Sequence, residues 1–175
     1  MKYFILSQKA DLPNLVKPLV RADKAYERRQ TVTKEEADGI KDVTIVPVIS
    51  NRDNIYPGVI DLPVFLVSDD VKKMLALYDE SLIFKCAVLT DKEQKKQAIY
   101  WLTLMDEVSC LAPSTEFHKA GSLKKLVLDT EKTFGRRIFW VGGIREKIVA
   151  VNLDIAESLL RRFLLGIQLT QIECI

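Results

Sequence analysis

Ser68-Asp69-Asp70-Val71-Lys72-Lys73-Met74-Leu75-Ala76-Leu77-Tyr78, then Ile83-Phe84-Lys85-Cys86-Ala87-Val88-Leu89 and Ala98-Ile99-Tyr100-Trp101-Leu102-Thr103-Leu104-Met105, decide the fold. Ser68 has the hydroxyl of a helix N-cap, and Asp69 and Asp70 complement the positive helix end. Val71, Met74, Leu75 and Tyr78 then recur at i, i+3, i+4 and i+7, which predicts a helix over 69–78 with one apolar stripe. The two apolar runs flank Asp91-Lys92-Glu93-Gln94-Lys95-Lys96. A charged linker between two strand-like runs predicts a hairpin, its turn type left open by a loop longer than two residues.

Working outward, Leu123–Leu128 reads as a strand, followed by a charged turn through Asp129 and Lys132. Arg137–Val141 is the next strand, Gly142-Gly143 its turn, and Ile148–Val151 its partner. Asp154 opens a helix whose broad apolar face holds Ile155, Leu159, Leu160, Phe163 and Leu164, with Gly166 as its terminator. Ile167–Ile172 closes the chain as a strand. Upstream, Tyr3–Leu6 reads as a short strand. Asp11 to Lys41 is polar and interrupted by Pro13 and Pro18, with a short helix expected at Ala22–Gln30 and a turn at Thr33–Gly39. Val43–Ser50 is rich in β-branched residues and predicts a strand, with Pro47 at an edge or a bulge. Asn51 to Pro63 reads as a loop. The expected class is α+β: a mainly antiparallel sheet, a few inserted helices and an irregular N-terminal region. One domain is expected over 1–175, less regular over 1–61 and regular over 62–175.

Bulk properties narrow the function. A chain of 175 residues can bury a core without disulfides or metals. With 26 basic and 24 acidic residues the net charge is +2, which argues against a strongly basic nucleic-acid binder. Cys86, Cys110 and Cys174 match no metal or redox spacing and suit a reducing cytosol. No stretch approaches the ~18 apolar residues of a membrane span, and the run at Tyr3–Leu6 is too short for a signal peptide. A soluble, cytoplasmic protein with no membrane partner is expected.

Catalytic chemistry has little to work with. His118 is the only histidine, so every imidazole-dependent proposal must use it, and no nucleophile motif lies beside it. The reading is a surface or loop histidine. Zinc would need every Cys and His of the chain, and these are scattered. Asp69-Asp70, Asp79-Glu80 and Asp106-Glu107 are adjacent pairs without calcium-loop spacing. Gly142-Gly143 carries neither a dinucleotide fingerprint nor a phosphate-loop lysine. No catalytic residue, metal site or cofactor is assigned, and a non-enzymatic protein is expected. Basic residues do cluster, at Arg136-Arg137, Arg145-Lys147 and Arg161-Arg162. If the first two groups flank one hairpin, they form a positive patch beside Trp140. Arg and Trp are enriched in binding hot spots, so Trp140, Arg137 and Arg145, with Trp101, are the candidate partner-binding residues. The competing reading is a solvated face over a packed Trp.

From Leu62 to Ile175 the order of features resembles a bacterial family first catalogued as a domain of unknown function and later grouped with polymorphic-toxin immunity proteins. Pro63-Val64-Phe65-Leu66-Val67-Ser68 leads into the helix. Tyr78-Asp79-Glu80 precedes the strand Ile83–Leu89, and Tyr100-Trp101-Leu102 heads its partner. Lys125-Leu126-Val127-Leu128-Asp129 is followed by Arg137-Ile138-Phe139-Trp140, and Ile148-Val149-Ala150-Val151-Asn152 precedes the helix before Gly166-Ile167. The chain departs from that pattern at Trp140, where a basic residue is common, and at Asn152, where a serine is. The resemblance implies a cytoplasmic binder that neutralises a cognate toxin by protein–protein contact. The alternative is a nucleic-acid or regulatory binding module that uses Arg136, Arg137 and Arg145.

Overall fold

The computed structural model describes residues 1–19 and 31–175. The helix expected at Ala22–Gln30 therefore lies outside the described residues. In chain order the strands and helices are β1 Tyr3–Gln8, β2 Val43–Pro47, β3 Val59–Ile60, β4 Leu66–Ser68, α1 Asp69–Tyr78, β5 Ile83–Asp91, β6 Lys96–Leu104, β7 Glu107–Val108, β8 Glu116–Phe117, β9 Leu123–Lys125, β10 Val127–Leu128, β11 Ile138–Val141, β12 Val149–Asn152, α2 Leu153–Arg161 and β13 Ile167–Cys174. A 3-10 turn, Lys34–Gly39, precedes β2 and opens on a Thr33–Glu36 capping box.

Helices α1 and α2 both start where a side-chain oxygen meets an orphan N–H. The Val71 N–H donates to Ser68 Oγ at 3.4 Å, and the Ile155 N–H donates to Asn152 Oδ1 at 3.1 Å. Asn152 thus performs the task a serine would perform at that position. In α1 the buried residues are Val71, Met74 and Leu75, as the stripe predicted. The hairpin is equally direct. β5 and β6 pair antiparallel from Ile83↔Leu104 to Asp91↔Lys96. Its tip is shaped by Asp91, 1% exposed, which accepts the Gln94 N–H at 3.0 Å, while Lys95 takes φ +51.

Two main sheets result among the described residues. The five-stranded sheet runs β2-β5-β6-β4-β3, with β2 parallel to β5 and the rest antiparallel. Pro47 lies on β2, at the sheet's edge. The six-stranded sheet runs β10-β13-β1-β12-β11-β7, antiparallel except for its outer pairs β10–β13 and β11–β7. A small β8–β9 ladder stands apart. One apolar cluster joins the sheets: Phe65 and Val67, the buried faces of α1 and α2, and Leu6, Ile138, Trp140, Val149 and Val151. The opposite face of the five-stranded sheet is covered by Val16, Val32, Ala37 and Ile40. The opposite face of the six-stranded sheet packs Tyr3, Phe139 and Ala150 against Cys110 and Leu128.

Several expectations are corrected. The N-terminal stretch is structurally central at its start, because β1 inserts between β12 and β13 and so joins residues 3–8 to the distal half. The loop expected over 51–63 contains β3, whose Val59 and Ile60 are buried. The strand expected over 123–128 splits at Leu126, β9 pairing with β8 and β10 with β13. The helix expected to reach Gly166 ends at Arg161. Its last turn tightens to Arg162 N–H to Leu159 O (3.2 Å) and Phe163 N–H to Leu160 O (3.4 Å), and Phe163 itself takes φ +48. Leu160 and Phe163 are therefore not core residues: they are 65% and 94% exposed. Gly166 does adopt left-handed backbone, φ +74, but in the turn into β13, where a Cβ would lie 2.4 Å from Cβ of Pro57.

Candidate interaction surface

The four residues expected to bind a partner do not gather. Trp140 is a core residue, 4% exposed, so it offers no anchor surface. Its position on β11 points inward, where the indole N–H donates to the Val32 carbonyl at 3.1 Å and the ring meets Phe65 edge to face at 5.8 Å. Arg137 and Arg145 flank the β11–β12 hairpin from opposite ends. The Arg137 carbonyl accepts the Asn152 N–H at one end, whereas Arg145 lies in the loop at the other. At about 3.3 Å per residue the hairpin separates them by on the order of 15 Å. The single positive patch imagined around Trp140 is not formed. Each arginine has a local task instead. Arg137 donates to the Tyr78 carbonyl at the α1 C-terminus, a favourable place for a cation. Arg145 donates to the Ala120 carbonyl at 2.8 Å and ties the loop to the β8–β9 ladder. Arg136 pairs with Asp106 at 2.7 Å.

Trp101 is different. It lies half-buried on β6, and its ring is held on two sides. The indole N–H donates to Asp69 Oδ1 at 3.0 Å, and Lys72 Nζ stands 4.4 Å above the ring centroid. Asp69 also binds Lys73 at 2.7 Å. The Lys73 hydrogen bond, then that of Trp101, holds the Asp69 carboxyl below its ordinary pKa.

Register shows what lies beside Trp101. Strand residues two apart share a face. Val43, Cys86, Trp101 and Val67 form one cross-strand row, and Ile45, Val88 and Ile99 form the next. Helix α1 covers the Val67 end of this face, with Lys72 over Trp101 and Phe84. Among the described residues the cover stops beyond Trp101. Val43, Ile45 and Ile99 are 58%, 64% and 55% exposed, the first two on β2 and the third on β6, with the half-buried Val88 of β5 between them. The open half of the face is thus a flat apolar field bounded by a fixed tryptophan and a lysine. Cys86 lies within it, its thiol pKa raised by burial and then by Asp69. Sequence reading missed Val43, Ile45 and Ile99, although a signal was present. β2 and β6 are apolar at successive positions, the mark of a strand covered on both faces.

Other features carry less chemistry. His118 is exposed in the β8–β9 turn, where its backbone N–H donates to the Ser122 carbonyl. Burial pushes the Cys110 thiol up to about 11, which keeps it protonated and poorly nucleophilic at neutral pH. A groove of 570 Å³ is lined by Leu15, Val16, Pro18 and Leu62, and the carboxylate at its wall, Asp61, already accepts the Gln8 N–H at 3.1 Å. Among the described residues no three His, Cys, Asp or Glu side chains converge as metal ligands. None of the described helices is long and apolar enough to cross a membrane. No protein-family model matches the chain, and no curated protein matches it either.

Proposed function

We propose that this protein is a non-enzymatic, cytoplasmic binder of immunity type, which neutralises a cognate bacterial toxin by protein–protein contact through the open half of the five-stranded sheet. The observation that carries the reading is the row Ile45–Val88–Ile99 beside Trp101, apolar across three strands, with Ile45 and Ile99 left exposed by the described residues. Such a field costs solubility unless something covers it, and contiguous exposed apolar area is the usual mark of a protein contact. Trp101 supplies a large ring whose orientation is already fixed, so little side-chain entropy is lost on docking. The order of features over 62–175 supplies the class of partner. With Arg137 and Arg145 apart and each engaged locally, nothing specific favours nucleic acid.

The test is coexpression with the product of the neighbouring gene. That product should arrest growth alone, and this protein should restore it. Replacing Ile45 and Ile99 together by Asp should abolish rescue while leaving the melting temperature unchanged. A neighbouring product without toxicity, or full rescue by the double variant, would remove the proposal.

A further inference from the structure

The apolar field on the five-stranded sheet is bounded by cations at both ends. Register carries the open face one row beyond Ile45, Val88 and Ile99, to Pro47, Thr90 and Gln97. Thr90 and Gln97 line a hollow of about 260 Å³ at the β5–β6 tip, together with the exposed Lys92, Lys95 and Lys96. At the other end Lys72 Nζ stands over the Trp101 ring. Gln97 and Trp101 are four residues apart on β6, so the two cationic ends are about 13 Å apart.

The carboxylates close to these ends are engaged elsewhere. Asp69 binds Lys73 and accepts the Trp101 indole N–H. Asp70 lines the groove between the helices, with Lys73, Met74 and Arg162. Asp91 borders the hollow, but it is buried and accepts backbone N–H groups of Gln94, Asn51 and Glu93. The Glu93 side chain does not line the hollow. Lys96 leans over Tyr56, on the opposite face. Among the described residues, no carboxylate forms an ion pair with Lys72, Lys92 or Lys95.

We infer that this surface fits a protein partner whose contact patch is apolar at its centre and carries a carboxylate at each end, one beside Lys72 and one in the Lys92–Lys95 hollow. The inference rests on the immunity-type reading of the same face and adds the chemistry of its partner. An uncharged patch laid on Ile99 and Trp101 would take the Lys72 ammonium out of water without a counter-charge, which is costly. A basic patch would be repelled at both ends. Charges at the rim of a contact speed the encounter more than they add affinity, and two such contacts leave the salt dependence of affinity weak.

The test uses the purified full chain and the purified product of the neighbouring gene, with association and dissociation rates measured at low salt. Lys92→Glu combined with Lys95→Glu should slow association at least about fivefold and change dissociation less. Both residues are exposed at a turn, so the melting temperature should not move. Lys72→Met keeps an apolar stem over Trp101 and removes the charge, and it should weaken binding at least about threefold. A water-soluble carbodiimide, which takes up the water released, should couple Lys72, and Lys92 or Lys95, to Asp or Glu side chains of the partner as amides. A complex lost on Ile45→Asp with Ile99→Asp, yet associating at an unchanged rate after the Lys92 and Lys95 reversal and yielding no such amides, would overturn this inference and leave the immunity-type reading standing. A product that does not bind at all removes both.

Discussion

At the scale of the residue, burial decides what each aromatic does. Trp140 has the composition of a hot spot, but its ring and N–H are consumed by Phe65 and the Val32 carbonyl. Trp140→Ala should destabilise the fold by about 3–5 kcal/mol, as large core truncations do. Trp140→Phe keeps most of the volume but strands the Val32 carbonyl, for about 1–3 kcal/mol. Chemical denaturation measures both. Phe163 is the reverse case. Its side chain stands in solvent, and it holds a backbone conformation that costs a non-glycine residue about 1–2 kcal/mol. Phe163→Gly should therefore raise stability by about 1 kcal/mol, and a lower denaturation midpoint would show that the side chain packs somewhere after all. Asp91 is one of the carboxylates that contribute to the acid limb. Burial alone would raise its pKa, but donors from Gln94, Ser50, Asn51 and Glu93 together lower it. A depressed folded-state pKa gives stability that is present above the unfolded value, about pH 4, and is lost as pH falls through the folded value. Thermal melts from pH 7 down should show this loss, and Asp91→Asn should flatten that part of the profile.

At the scale of the element, the turn into β13 is set by Gly166. An added Cβ would meet Pro57 at 2.4 Å, on backbone that already favours glycine. Gly166→Ala should destabilise by more than about 1 kcal/mol, read from the shift in urea midpoint. The elements with a local cause were legible in the sequence. Ser68 and Asn152 sit ahead of periodic apolar runs, and the β5–β6 hairpin is announced by its charged linker. β3 was not legible, because two residues between Pro57-Gly58 and Leu62-Pro63 show no period, and only β4 makes them a strand. The end of α2 was missed for a related reason. Leu160, Phe163 and Leu164 continue the apolar pattern, yet only Leu164 packs against the core. A pattern records which side chains are apolar, not whether a neighbour exists to cover them. The same gap hid the candidate site. Val43, Ile45 and Ile99 read only as parts of strand-like runs, and Trp140 read as either a binding anchor or a packed ring; burial at 4% exposure decides for the packed ring.

At the scale of the whole molecule, two sheets share one cluster of side chains, and β1 ties the chain's start into the sheet built by its end. Among the described residues, the five-stranded sheet is covered on one face by Val16, Val32, Ala37 and Ile40, and on the other only as far as Trp101. Among the described residues, that half of the sheet face stays uncovered. The molecule's near-neutral charge means that contact through this face should depend weakly on salt, unlike a phosphate-binding surface. The most direct test is a binding titration of the purified protein against the purified product of the neighbouring gene. The account predicts tight, weakly salt-dependent binding that falls at least about a hundredfold when Ile45 and Ile99 are both replaced by Asp, with Trp101→Ala also weakening it. Binding that survives both changes undiminished would contradict it.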